Sequence, residues 1–331
     1  MTFQMLWKIV LLLLFTLSLS CVANAGSAAW ETARFPNAKW VGMEHTEKNM
    51  RWDRRTIKYS FSDPASRETL STWVQTAMDL WYASGLPETF KVEEIDRRDC
   101  QRDGLNCLII TRSFMELSTP IGKKPHPDFH SLVARWTTET SVGMLDTGAN
   151  FAHELGHAFG LYHESHNPHF WAAGGNLWNN YELNCPNFQG YDELSDELSF
   201  EMMWGEHGAC EDGCTARRHK FRAAEVLPCL DDNIIKPGSG VTTDLDVDWS
   251  SIMTTPSYIG NGRNPLEDNT HYTVVRSLGN RRIDPTFAPT TFDVQGLITM
   301  YEEPYLTPRP ILHNDPRSSA YGIFQRSAPG C

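Results

Sequence analysis

The stretch Phe151–His166, "FAHELGHAFGLYHESH", holds four histidines and two glutamates among small and apolar neighbours. On a helix, residues four apart share a face. His153 and His157 can therefore present two imidazoles to one metal ion. Glu154 is turned about 100° around the axis from His153 and can reach a water on that metal without being a ligand. Gly160 can take the left-handed conformation that ends a helix and turns the chain back, which brings His163 round as a third ligand. Three neutral imidazoles leave one tetrahedral position for water, the pattern of a catalytic zinc site rather than a closed structural one. The plain alternative is three solvated or core histidines at a helix end. It has to meet the H-E-x-x-H-x-x-G-x-x-H spacing by coincidence.

Such a site needs a scaffold. "RTIKYSF" (Arg55–Phe61) alternates and is β-rich, and "FKVEEI", "CLIITRS", "SLVARWTTE" and "VGML" also read as strands. Between the first two, Leu70, Trp73, Val74 and Ala77 have helical spacing, with Gly85 as a stop. The 90 residues from His163 to Met253 differ in character. They carry four cysteines, much Asn and Gly, and one helical candidate, "YDELSDELSFEMMW". Near the end, Val294, Leu297, Ile298 and Tyr301 form an amphipathic helical pattern, with Thr290 or Thr291 as N-cap.

The 331 residues, 40% hydrophobic, are enough for a sizeable core and one or two domains. Residues 1–25 read as a signal peptide. Lys8 precedes an apolar run, and "ANA" (Ala23–Ala25) supplies the small residues before the cut. The apolar run is short for a membrane span. The mature chain is expected to be secreted and extracellular. Losing Lys8 takes the formal charge from −12 to −13. That acidity argues against nucleic acid or an anionic membrane as partner. Seven cysteines remain after the signal, and in an exported chain they are expected in bridges. Cys100 and Cys107 can close a short loop, and Cys185, Cys210, Cys214 and Cys229 can make two bridges, leaving Cys331. The connectivity is not readable from sequence.

"HELGHAFGLYH" (His153–His163) resembles the extended zinc motif of the metzincin metalloproteases, and with Glu164 after the third histidine it looks most like the astacins. The resemblance implies a Met-turn beneath the histidines, supplied by Met253 in "SSIM", and a closing helix at "FDVQGLITMYE". It spans about residues 50–302. It implies an α+β zincin-like fold with a twisted, mainly parallel sheet, an active-site helix and a loop-rich lower subdomain. One catalytic Zn2+ is expected on His153, His157 and His163, with Glu154 as general base and acid for peptide hydrolysis. In astacins the glutamate matching Glu164 pairs with the trimmed N-terminus. The sequence departs from the family at Thr255, where astacins carry a zinc-binding tyrosine, with Tyr258 three residues on. The F-x-G-D motif of astacin pro-segments and a cysteine switch are both missing.

Weaker features have plainer readings. His166 and His169 are expected at the surface. Asp244, Asp246 and Asp248 lack the glycine and closing glutamate of a calcium loop and read as a strand edge or solvated loop. Arg54–Arg55 reads as structural rather than as a processing site. Trp171, Trp178 and Trp204 are expected in packing. The expected organisation is a signal peptide (1–25), an N-terminal extension or short pro-segment (26–50), a catalytic domain (51–302) with a cysteine-containing insertion at about 170–240, and a Pro-rich tail (303–331). The upper part runs from about 50 to 163. The lower part, about 164–302, carries the Met-turn. The function expected is a secreted zinc endopeptidase acting on proteins or peptides. The alternative is a weakly active or inactive zincin-fold binding protein.

Overall fold

The computed structural model describes residues 50–113, 117–123, 130–135, 146–171, 180–229, 245, 247–261 and 271–301. The expected signal, most of the expected extension, the tail, Cys331, Trp178 and the strand expected at "VGML" lie outside them.

Strand β1 (Thr56–Phe61) lies inside a four-stranded sheet, its apolar side chains Ile57, Tyr59 and Phe61 buried. It pairs with β2 (Lys91–Glu94) on one side and β3 (Cys107–Ser113) on the other, and β3 pairs with β4 (His130–Arg135). The order is β2-β1-β3-β4 and every pairing is parallel. Parallel neighbours require crossovers. Helix α1 (Pro64–Ala83) supplies the first, and the short α2 (Arg97–Arg102), which sequence patterning missed, lies in the second. Asp63 starts α1 by accepting from the Ser66 N–H at 2.8 Å, with Pro64 in the first turn. Leu70, Val74, Ala77, Met78 and Trp81 form its buried face, and Gly85 follows the helix at φ 98°.

That face meets α3 (Thr147–Phe159), capped by Asp146 through the Ala149 N–H at 2.7 Å. Every residue of α3 is buried, as expected for an interior helix. Two tryptophans clamp it through its carbonyls. Trp81 Nε1 donates to Ala152 O at 2.9 Å, and Trp52 Nε1 donates to Ala158 O at 2.7 Å. Trp52 is therefore part of the fold, and a cut at Arg54–Arg55 would sever it. Arg55 instead lies over the Phe90 ring at 5.2 Å.

The α+β architecture expected from the sequence, a parallel sheet with an interior helix carrying the histidine motif, is thus present, but its core divides differently. One apolar cluster joins α1, α3 and the sheet to Ile252, Met253, Val294, Leu297, Met300 and Tyr301. The Met-turn and the closing helix α7 (Thr291–Tyr301) therefore belong to the upper core, although they follow the lower residues in sequence. Their apolar faces complete the surface that Trp81 and Phe159 leave open. The ring of Tyr301 stands 5.2 Å from that of Phe90, which stands 5.7 Å from Phe159.

A second cluster holds Phe170, Trp171, Tyr181, Phe188, Leu194, Met203, Phe221, Val226, Leu227, Ile259 and Val274. It is built around β5 (Tyr181–Leu183), antiparallel to β6 (Val274–Arg276), a pair too short to show in the pattern. The helical candidate at 191–204 breaks into α4 (Tyr191–Glu197) and α5 (Phe200–Trp204), because Ser199 caps a new helix by accepting from the Met202 N–H at 3.3 Å. Helix α6 (Gly213–Arg218) follows. Disulfides join Cys185 to Cys210 and Cys214 to Cys229, and Cys100 to Cys107 in the upper part. Trp171 stacks on Tyr181 at 5.4 Å, in packing as expected. No helix among the described residues is long and apolar enough to cross a membrane.

Asp293, fully buried in the first turn of α7, ties the helix to the Met-turn. It accepts from the Thr290 N–H at 2.8 Å while its own N–H donates to Thr290 Oγ1, a reciprocal cap. It also accepts from Ser251 Oγ at 2.6 Å and the Ile252 N–H at 3.1 Å. Burial pushes its pKa up from 3.8 to about 6, against these hydrogen bonds and with the help of Asp248. A carboxyl raised in the folded state stabilises most below its unfolded value, and that contribution fades as pH rises through about 6. Asp293→Ala should therefore cost roughly 1–3 kcal/mol by orphaning buried donors, and about 1 kcal/mol more at pH 5 than at pH 8. Urea unfolding at the two pH values measures both.

Candidate metal centre

His153 and His157 lie one turn apart on α3, and Gly160, at φ 120°, ends the helix. The Gly160 and Leu161 N–H groups both bond back to the Gly156 carbonyl, at 3.0 and 2.9 Å. That turn returns His163 to its partners. The Nε2 atoms of His153 and His163 are 3.0 Å apart, and those of His157 and His163 are 3.1 Å apart.

The Nδ1 atoms settle what these contacts mean. His153 Nδ1 faces the Ile252 carbonyl, His157 Nδ1 the Leu161 carbonyl and His163 Nδ1 the Glu225 carbonyl, each at 2.7 Å. A carbonyl only accepts, so each Nδ1 carries the hydrogen and each Nε2 keeps a lone pair. Three buried lone pairs then converge with no donor between them, which calls for a cation. Zinc–nitrogen bonds of roughly 2.0–2.1 Å at tetrahedral angles place nitrogens about 3.3 Å apart, close to what is seen. Burial holds the pKa of His153 down to about 4 and those of His157 and His163 well below the usual imidazole range, with the facing carbonyls opposing. All three are neutral near pH 7, as ligands must be.

Met253 lies beneath them. A Cβ added at Gly156 would stand 2.6 Å from Met253 Sδ and 3.2 Å from the Trp81 ring, so the helix, the methionine and the tryptophan meet where only glycine fits. The Met253 carbonyl also accepts from the Glu164 N–H at 3.1 Å.

Glu154 is buried, and its Oε2 has no hydrogen-bond partner among the described residues. Burial pushes its pKa up to about 8, with the Thr119 hydroxyl opposing and the Glu225 carboxylate adding. Glu164 is also buried, with Oε2 unpartnered among the described residues. Its pKa is raised well above the usual range by burial and by the nearby Asp293 and Asp248.

Two sequence expectations are corrected. His166 is buried rather than at the surface, with Nε2 unpartnered among the described residues and its ring 4.8 Å from that of His163. The tight turn Glu164–His166 folds it inward. The side chain of His169 lies outside the described residues, as do Asp244 and Asp246. Asp248 is not a solvated loop residue but is buried, accepting from Thr290 Oγ1 at 2.5 Å. Thr255 is buried with its hydroxyl unpartnered among the described residues, and Tyr258 is buried near Arg282 and Asp284, which act on its phenol. The carbonyls of Ile252, Leu161 and Glu225 were not foreseen. Main-chain acceptors carry no residue type, so no sequence signal marks them.

The motif and the pinned triad make a buried three-histidine group that could hold one metal ion. No family model matches the chain, and none of the curated proteins does. Among solved structures it is similar to high choriolytic enzyme 1, a hatching enzyme zinc-protease from the medaka fish Oryzias latipes, at 12% identity and TM-score 0.45 over 78% of this chain and 98% of that one. It is also similar to myroilysin, at 12% identity and TM-score 0.41 over 78% and 98% of the two chains.

Gly156→Ala should destabilise by roughly 1–3 kcal/mol, because crowding Met253 and Trp81 outweighs the helix gain of about 1 kcal/mol. It should also weaken zinc binding. Urea unfolding and zinc titration of the variant measure the two effects.

Proposed function

We propose that this chain is an exported, zinc-dependent endopeptidase that hydrolyses peptide bonds in proteins. The observation that carries the reading is the convergence of three Nε2 lone pairs, each imidazole pinned at Nδ1 by a main-chain carbonyl. Zinc held there would supply a Lewis acid and water that ionises near neutral pH.

The chain's own residues do the rest. The three carbonyl contacts fix tautomer and ring direction, so His153, His157 and His163 would hold the ion without rearranging. Glu154 provides the proton relay. Its buried Oε2, without a hydrogen-bond partner among the described residues, suits it to take a proton from the attacking water and pass it to the leaving amine. The fully buried α3 keeps these groups dry and strengthens their electrostatics. Glu164, a buried carboxylate beside two other acids, supports the astacin-like pairing with a trimmed N-terminal ammonium. The three disulfides support export to an oxidising compartment, in line with a signal peptide at 1–25.

One observation favours a second reading, a weakly active or inactive zincin-fold binding protein. Thr255 stands where astacins place a tyrosine, and Tyr258 is packed near Arg282 and Asp284. Losing one oxyanion donor typically costs about 10²–10³ in rate. Cleavage of a denatured protein by the wild type should be abolished by chelator. Glu154→Gln should keep one zinc per chain yet lower kcat/KM by roughly 10²–10⁴. A wild type that holds zinc but shows no chelator-sensitive cleavage selects the binding-protein reading.

A further inference from the structure

Resting on the metal-centre reading above, the question is what holds the three carbonyls that orient the ligands. Ile252 is anchored in the upper core through Asp293, and Leu161 lies in the turn that follows α3. Glu225 is different. It lies 62 residues beyond His163, in the short turn Arg222–Glu225, with no strand or long helix beside it in sequence among the described residues.

It sits in a closed loop. The Cys214–Cys229 bond joins the loop's ends. Asp212, fully buried, caps α6 by accepting from the Cys214 and Thr215 N–H groups at 3.2 and 3.1 Å and from Thr215 Oγ1 at 3.0 Å. The Gly213 N–H donates to the Pro228 carbonyl at 2.8 Å, and a Cβ at Gly213 would stand 2.2 Å from the Leu227 oxygen. The loop thus shuts main chain against main chain. Inside it, the Ala223 carbonyl accepts from the Val226 and Leu227 N–H groups, and all three residues are buried. The Ala224 and Glu225 carbonyls also act on His166, so one turn faces two adjacent imidazoles. Asp212, Cys214 and Cys229 gather like metal ligands, but both sulfurs are spent in the disulfide, which makes the cluster a latch.

We propose that the Cys214–Cys229 loop is a working part of the metal centre. Glu225 is a positioning residue that acts through its main-chain carbonyl on His163, and the closed loop sets how tightly the third ligand grips the ion. Grip then depends on this disulfide and not on Cys185–Cys210, which lies in the same lower core.

The test uses the full oxidised chain. Zinc release to a competing chelator and the visible spectrum of the cobalt-substituted protein are recorded. Cys214→Ser/Cys229→Ser should release zinc roughly 10–100-fold faster and shift the cobalt bands. Cys185→Ser/Cys210→Ser should lose stability yet release zinc as the wild type does. Should the first variant not fold, Asp212→Asn decides. It keeps the disulfide and one acceptor oxygen, and should raise release several-fold. Folded latch variants that release zinc at the wild-type rate overturn the proposal, as does equal loosening by the Cys185/Cys210 variant. A wild type that takes up no more zinc than His153→Ala fails earlier, at the metal-centre reading, and removes the proposal with it.

Discussion

A histidine whose Nδ1 hydrogen is committed to a carbonyl keeps one lone pair, at Nε2, and this chain buries three such lone pairs, that of His163 within hydrogen-bond distance of the other two. None can donate to another, and water is largely excluded from all three. Buried acceptors left facing one another are costly, so the arrangement makes sense only around a cation. The rest of the molecule can be understood as the support for that arrangement. The three carbonyls come from three places: the Met-turn, the turn closing the ligand helix, and a disulfide-closed loop in the lower core.

The support is close-packed where it matters. Gly156 lets the ligand helix approach Met253 and Trp81 without a Cβ between them. Trp81 and Trp52 in turn bond to carbonyls of that helix, which fixes its axial position. Asp293 links the closing helix to the Met-turn, so the residue that pins His153 is held by an element from the far end of the chain. Local contacts could not do this, because the helix and the methionine are 97 residues apart in number (Gly156 to Met253).

Charge is arranged against its usual habit. Glu154, Glu164 and Asp293 are buried carboxyls whose pKa values are all raised, first by desolvation. Carboxyls are seldom fully buried without a partner. The same burial lowers the three imidazoles, so acids and bases are both shifted toward their neutral forms.

Residue type and short spacing by themselves pointed to the three candidate ligands, the glycine turn, the strands β1 to β3 and the helices α1 and α7. Each depends on periodicity or on a side chain with one evident use. His153, His157, Gly160 and His163 lie within eleven residues, so helix geometry alone brings them together. The pairings within Cys185, Cys210, Cys214 and Cys229 were left open, since several connectivities satisfy the same sequence. The short α2 and the β5–β6 pair carry too few residues for a periodic signal. The 191–204 segment read as one helix because its apolar pattern continues through Ser199. Tertiary structure alone decided that the Met-turn and α7 join the upper core, that His166 and Asp248 are buried, and that Glu225 serves His163. These are long-range contacts made by main-chain groups or by side chains whose type permits either burial or exposure. Their outcome depends on which distant surface remains to be covered once the sheet and its two helices have packed.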